Sequence, residues 1–163
     1  MGLFCERMLA SKSSAMATFF AFLHHVAAFT LVAALAVEFV LIRQEVMRPG
    51  AIRLLVTDAV LGASAAALLV VGLLRVFYFE KGASYYFSSY AFLTKLSVFL
   101  IVAALSAAPT IEFLSWRKAV KAGQAPSPAP AKLNLVRKII HFELIGVVVI
   151  LLCAAIMARG GWH

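Results

Sequence analysis

Phe19–Glu38 reads FFAFLHHVAAFTLVAALAVE. The stretch is apolar almost throughout and is flanked by further apolar residues, so it is long enough to span a bilayer as a helix. Two adjacent histidines, His24 and His25, lie inside it, and Glu38 closes it. A charged side chain at the centre of such a span costs about 2.5–3.5 kcal/mol, and a neutral imidazole there still needs partners. A histidine pair in this setting marks a functional site around which the other elements should form walls.

The rest of the chain agrees with a membrane reading. Of 163 residues, 64% are hydrophobic and 13% charged, too few polar groups to cover a water-soluble globule. The expected fold is an all-α integral membrane protein with a single membrane domain over residues 1–163. It would be a four-helix transmembrane bundle with a short amphipathic interfacial helix between its third and fourth spans. The net charge of +8 sits beside the apolar spans. It therefore suits anionic lipid rather than nucleic acid. Cys5 and Cys153 lack metal-type spacing. The first apolar run is longer than a signal-peptide core, so it is expected to remain as a helix.

The spans are read at about 15–42, 54–79, 86–108 and 133–157. Arg43–Arg53 forms a charged turn broken at Pro49-Gly50, and Glu80-Lys81-Gly82 forms the next. Pro109 and Thr110 mark a break, followed by a surface helix over Ile111–Lys121 anchored by Trp116. Residues 123–131 hold Pro126, Pro128 and Pro130, a stiff extended connector. Each span reaches the roughly 20 residues a bilayer requires.

Basic residues set the orientation. Arg43, Arg48, Arg53, Arg117, Lys118, Lys121, Lys132, Arg137 and Lys138 lie on one side. Arg7, Lys12, Arg75, Lys81 and Arg159 lie on the other, with Lys95 inside. The excess places the connector in the cytoplasm and both termini outside. At about 1.5 Å per residue, two polar layers follow. The outer one holds His24, His25, Lys95 and Arg75, roofed by Tyr78, Tyr85, Tyr86 and Tyr90. The inner one holds Glu38, Asp58, Lys138, His141 and Glu143.

Around the first helix, Ala17, Ala21, Ala28, Leu31, Leu35 and Glu38 share the meridian of His24; on the second, Gly62, Ala65, Leu69, Gly72 and Val76 share that of Asp58. Small residues on such faces serve either close helix packing or a slot for a flat ligand.

Imidazoles on bundle helices are suitable axial ligands for haem iron. His24 and His25 point about 100° apart, so one of them should face the bundle, and the alanines favour His24. The alternative is that both bond to neighbouring helices or to backbone carbonyls. His141 would lie about 15 Å away along the membrane normal, too far to share one haem with His24. It reads equally as an interfacial histidine or a partner of Asp58. Lys95 stands at the height of a second ligand, a propionate partner or a proton donor, unless it snorkels outward. Arg75 reads as a carboxylate clamp or an interfacial anchor. Glu38 and Asp58 are expected to pair with Arg53, Lys138 or His141. Cys5 and Cys153 share the outer side, where a disulfide is conceivable. There is no phosphate loop, zinc-type spacing or Ser–His–Asp arrangement.

Several stretches carry a resemblance. LHHVAAFTLVAALAVEFVLI at Leu23–Ile42, RVFYFEKGASYYF at Arg75–Phe87, FLTKL at Phe92–Leu96, LSAAPTIEFLSWR at Leu105–Arg117 and MARG at Met157–Gly160 resemble a family of small bacterial predicted membrane proteins of unknown function. That likeness implies a multi-pass protein of the bacterial inner membrane.

More distantly, the chain is similar to the HemJ family, four-helix membrane protoporphyrinogen oxidases that bind haem b. His24 or His25 matches the histidine early in that family's first helix, and Lys95-Leu96 matches its Lys-Leu pair in the third. Leu93 stands where that family usually has a histidine, and Glu38 near an expected arginine. These departures bear on the oxidase activity more than on the haem.

Three readings follow. One is a haem-b-binding membrane redox protein, with a porphyrin or quinone-like small molecule as partner and possible self-association. In it His24, His25 or His141 would hold the cofactor, His24 or His25 its metal, and Lys95 and Arg75 would be the catalytic charges. The second is a non-catalytic structural or assembly subunit. The third is a small transporter component that uses both polar layers as an ion path.

Overall fold

The computed structural model describes the backbone of residues 2–79 and 83–159, and the side chains of residues 14–79, 84 and 86–159. The expected turn at Glu80–Gly82, the side chains of Cys5, Arg7, Lys12 and Tyr85, and the last four residues lie outside these.

The described residues form helices α1 (Gly2–Leu41), α2 (Arg48–Leu74), α3 (Ala83–Phe87), α4 (Tyr90–Ser115), α5 (Arg117–Lys121) and α6 (Pro130–Ala158). A π-helical turn, Arg75–Phe79, continues α2. Four stretches are long and apolar enough to cross a membrane: Ser14–Leu41, Arg48–Phe79, Tyr90–Lys121 and Pro130–Ala158. The chain is an all-α membrane protein. Helices suit this setting because each backbone N–H and C=O finds its partner within the same segment. Thr18 and Thr30 extend that economy, donating their hydroxyls to the carbonyls of Ser14 and Val26.

The prolines shift three expected boundaries. Pro49 falls in the first turn of α2 and Pro130 opens α6. Proline is harmless there because the first N–H groups of a helix lack intrahelical acceptors anyway. Both helices therefore start earlier than expected, and the charged turn and the connector shrink. Pro109 does not break its helix: it is buried inside α4, which runs on to Ser115. In lipid, leaving the helix would strand several backbone groups, whereas one proline forfeits a single hydrogen bond. The expected surface helix is thus reduced to Arg117–Lys121, with Val120 buried and its basic residues exposed.

α1 packs along α2 and α4 along α6, and the two pairs meet through α1 with α6 and α2 with α4. The core lies towards the end that carries the α1–α2 turn. There Leu35, Ile42, Leu54, Phe113, Trp116 and Ile140 are buried together. Basic residues fasten the same end. Arg137 donates to the Ile42 carbonyl at 3.0 Å and Arg48 to the Val120 carbonyl at 3.2 Å, both unfilled acceptors near helix C-termini. Arg43 lies over the Phe39 ring at 3.8 Å. Lys132 pairs with Glu112 at 3.1 Å, and Glu112 also accepts from the Trp116 indole at 3.1 Å. Among the described residues, large apolar side chains such as Phe22, Phe29, Val56, Phe142 and Leu151 point outward, towards lipid.

Gly146 sits buried on α6, where a Cβ would collide with the Val102 side chain of α4. The valine is β-branched and stiff in a helix, so it has little room to yield. Gly146→Ala is expected to lower stability by about 1–3 kcal/mol, as overpacking does. Gly62→Ala, where a Cβ meets nothing within 4 Å, should be neutral. Thermal unfolding of both variants in detergent checks the contrast.

Candidate polar sites inside the membrane

His24 projects from α1 onto α2, its ring 3.3 Å from where a Cβ on Gly72 would stand. The glycine admits the imidazole between the two helices. The Nδ1 atom of His24 is buried and has no hydrogen-bond partner. The charges of Lys95, Arg75 and His25 act on this ring, and those of Arg75 and Cys153 act on Lys95. His24 from α1, Arg75 from the π-helical turn, Lys95 from α4 and Cys153 from α6 therefore surround one region. His24, Lys95 and Arg75 are each partly buried. Cys153 is a buried free thiol.

Of the expected outer layer, His24, Lys95 and Arg75 come together, while His25 turns away. His25 is exposed and donates Nδ1–H to the Ala21 carbonyl of its own helix at 2.6 Å. The two rings stand 88° apart in plane, as neighbours on a helix must when only one faces inward. The aromatic roof also differs from expectation. Tyr78 and Tyr90 are exposed, and the enclosing rings are mainly phenylalanines. Phe20 stacks on Phe79 at 4.8 Å, and Phe92 meets Tyr86 and Phe87 at 5.4 and 5.5 Å.

An apolar groove opens along the α1–α2 seam beside His24. It is open on its outer side, holds about 350 Å³ and is lined by Leu23, Val26, Ala27, Ala63, Ser64, Ala67 and Val71, not by His24, Lys95 or Arg75. The buried residues of α2 are Ala51, Leu54, Asp58, Leu61 and Ser64; of the expected stripe Gly62 is exposed, Ala65, Leu69 and Gly72 are half-buried and Val76 is buried. Gly72 is the member of that stripe that shapes the site.

The inner layer brings three carboxylates together: Glu38 of α1, Asp58 of α2 and Glu143 of α6. They are 0%, 6% and 1% exposed. The charges acting on Glu38 are those of Asp58 and Glu143. All four oxygens of Glu38 and Glu143 are buried without a hydrogen-bond partner. Ser106 of α4 lies beside Glu143 without closing a bond to it. Thr110, also of α4, bonds to Asp58 Oδ1 at 2.7 Å.

The expected pairing of Glu38 and Asp58 with Arg53, Lys138 or His141 is not formed. Arg53 and Lys138 are exposed, and His141 is exposed with its ring beside Phe39 at 5.3 Å. His141 therefore joins neither site. Depth along each helix was readable, but the rotation of Lys138 and His141 away from the bundle was not. One signal for the triad was present: Ile140 and Glu143, at i and i+3, share the buried face of α6 while His141 does not. Among the described residues, no group of three or more His, Cys, Asp or Glu side chains could hold a metal ion.

No curated protein and no solved structure matches the chain. The family described as predicted membrane protein (DUF2214) matches residues 16–161, nearly the whole chain, and the chain belongs to that family.

Proposed function

We propose that the chain is a haem-b-binding membrane redox protein, with His24 as the axial ligand. The observation that carries this reading is the buried, unpartnered Nδ1 of His24, set among Lys95 and Arg75 by three converging segments. A buried polar atom normally finds a partner, so an unpartnered Nδ1 against Gly72 marks His24 as more than a packing residue, and its Nε2 would be the atom offered to iron. Lys95 and Arg75 supply the cations that propionates or substrate carboxylates require. The open apolar groove along the α1–α2 seam adjoins His24 and would take an apolar edge of the ligand. His25, engaged with its own backbone, and His141, turned outward, are less suited to the role.

Bound haem would supply one-electron chemistry. The residues present would orient it, exclude water and hold its carboxylates. The similarity to the HemJ family extends the proposal to a porphyrinogen as substrate, with a quinone-like molecule as electron acceptor. Lys95, at the position of that family's lysine, would then face the substrate.

The test is the absorption spectrum of the full chain, oxidised and reduced, purified in mild detergent from cells supplied with haem. A Soret band is expected in the wild type and in His25→Ala and is expected to vanish in His24→Ala. A colourless wild type overturns the proposal, and so does a band that survives His24→Ala unchanged.

Lys95→Ala should keep the band but weaken retention of haem about 10–100-fold, the loss expected for a charge-assisted hydrogen bond of about 1.5–3 kcal/mol. Haem titration into the apo-protein measures it.

A further inference from the structure

We propose that Glu38, Asp58 and Glu143 form a proton-binding site within the membrane, exchanging protons with the aqueous face beside the α1–α2 turn. This inference stands apart from the haem reading, since it uses none of the residues around His24.

The buried, unpartnered oxygens of Glu38 and Glu143 carry it, and the Thr110 contacts are consistent with it. The first observation is electrostatic. Three carboxylates from three helices share one buried region, and the oxygens of Glu38 and Glu143 have no hydrogen-bond donor. Among the described residues, no cation faces them from a packed element. Just past α1, Arg43 covers Phe39, and on α6 Arg137 donates to the Ile42 carbonyl. On α2, Arg53 is exposed; on α6, Lys138 and His141 are exposed. On α4, Glu112 is already paired with Lys132. Carboxylates that share a site of low dielectric without a counter-charge cannot all ionise, so protons take the place of cations.

The second observation is a hydrogen-bond count. The Thr110 hydroxyl lies 2.7 Å from Asp58 Oδ1 and 3.0 Å from the Ser106 carbonyl. A hydroxyl has one proton to donate. The carbonyl can only accept, so Thr110 satisfies both contacts when it donates to Ser106 and accepts a proton carried by Asp58. A proton on Asp58 is therefore compatible with both contacts and would satisfy them together.

Exchange with water needs only a short path. Glu38 lies three residues before the end of α1, about 4.5 Å along the helix. Arg43, Gln44 and Glu45 beyond it are exposed. The oxygens of Glu38, left without donors, are free to pass a proton onward.

Infrared spectroscopy of the full chain in detergent at neutral pH tests the proposal. Carboxyl groups in water are ionised there, so a protonated carboxyl carbonyl band reports buried acids. The expected result is such a band that shifts on transfer to deuterium oxide. It should weaken in Glu38→Gln and in Glu143→Gln and be lost when both are combined with Asp58→Asn. The absence of the band in the wild type overturns the proposal. A band that does not shift in deuterium oxide also overturns it, because it shows acids sealed from water. A band that is unchanged in the variants does the same. The wild-type spectra decide the first two outcomes even if a variant fails to fold.

Discussion

Lipid offers no hydrogen bonds, and that constraint arranges everything polar in this protein. A side chain that cannot reach the membrane surface must find another on a neighbouring helix, or carry no charge. The two polar clusters are two answers to that demand. Around His24, two cations and an imidazole gather from three spanning stretches, with the Cys153 thiol from the fourth. Around Glu38, acids gather with hydroxyl groups from α4. The two sets differ in chemistry, one basic and one acidic, and lie at different depths in the bundle.

The two ends of the bundle are also built differently. At the end with the α1–α2 turn, the core closes tightly around the acids, and arginines tie the helix termini together. At the other end His24, Lys95 and Arg75 are only partly buried, beside phenylalanines from four elements. A tight acidic end suits a site for the smallest ligand, a proton. A looser cationic end suits something with more surface.

Much of this was legible from residue order. Four apolar runs of bilayer length fix the number of spans. The rise per residue puts His24 and Lys95 at one depth, and Glu38, Asp58 and Glu143 at another. What order conveys poorly is rotation about each axis. His24 and His25 differ by one residue, yet only His24 reaches Gly72. Lys138 and His141 share a depth with the acids but face outward, so the expected ion pairs do not form. The prolines misled for a related reason. Pro109 looks like a breaker by the rules of water, where a freed carbonyl is solvated at little cost; in lipid the helix goes on through it.

The π-helical turn at Arg75–Phe79 has an evolutionary consequence. Such a turn holds one more residue than an α-helical turn, as though a residue had been inserted without disturbing what lies on either side. Here it separates the part of α2 that packs on His24 from the phenylalanine cap. The span can thus lose or gain a residue at this point and keep Asp58 and Gly72 in register with α1. The same change between Asp58 and Gly72 would swing one of them about 100° out of place. Length variation within this stretch of the membrane should therefore gather at the π-helical turn, where the cap can be re-aimed while the faces below it stay fixed.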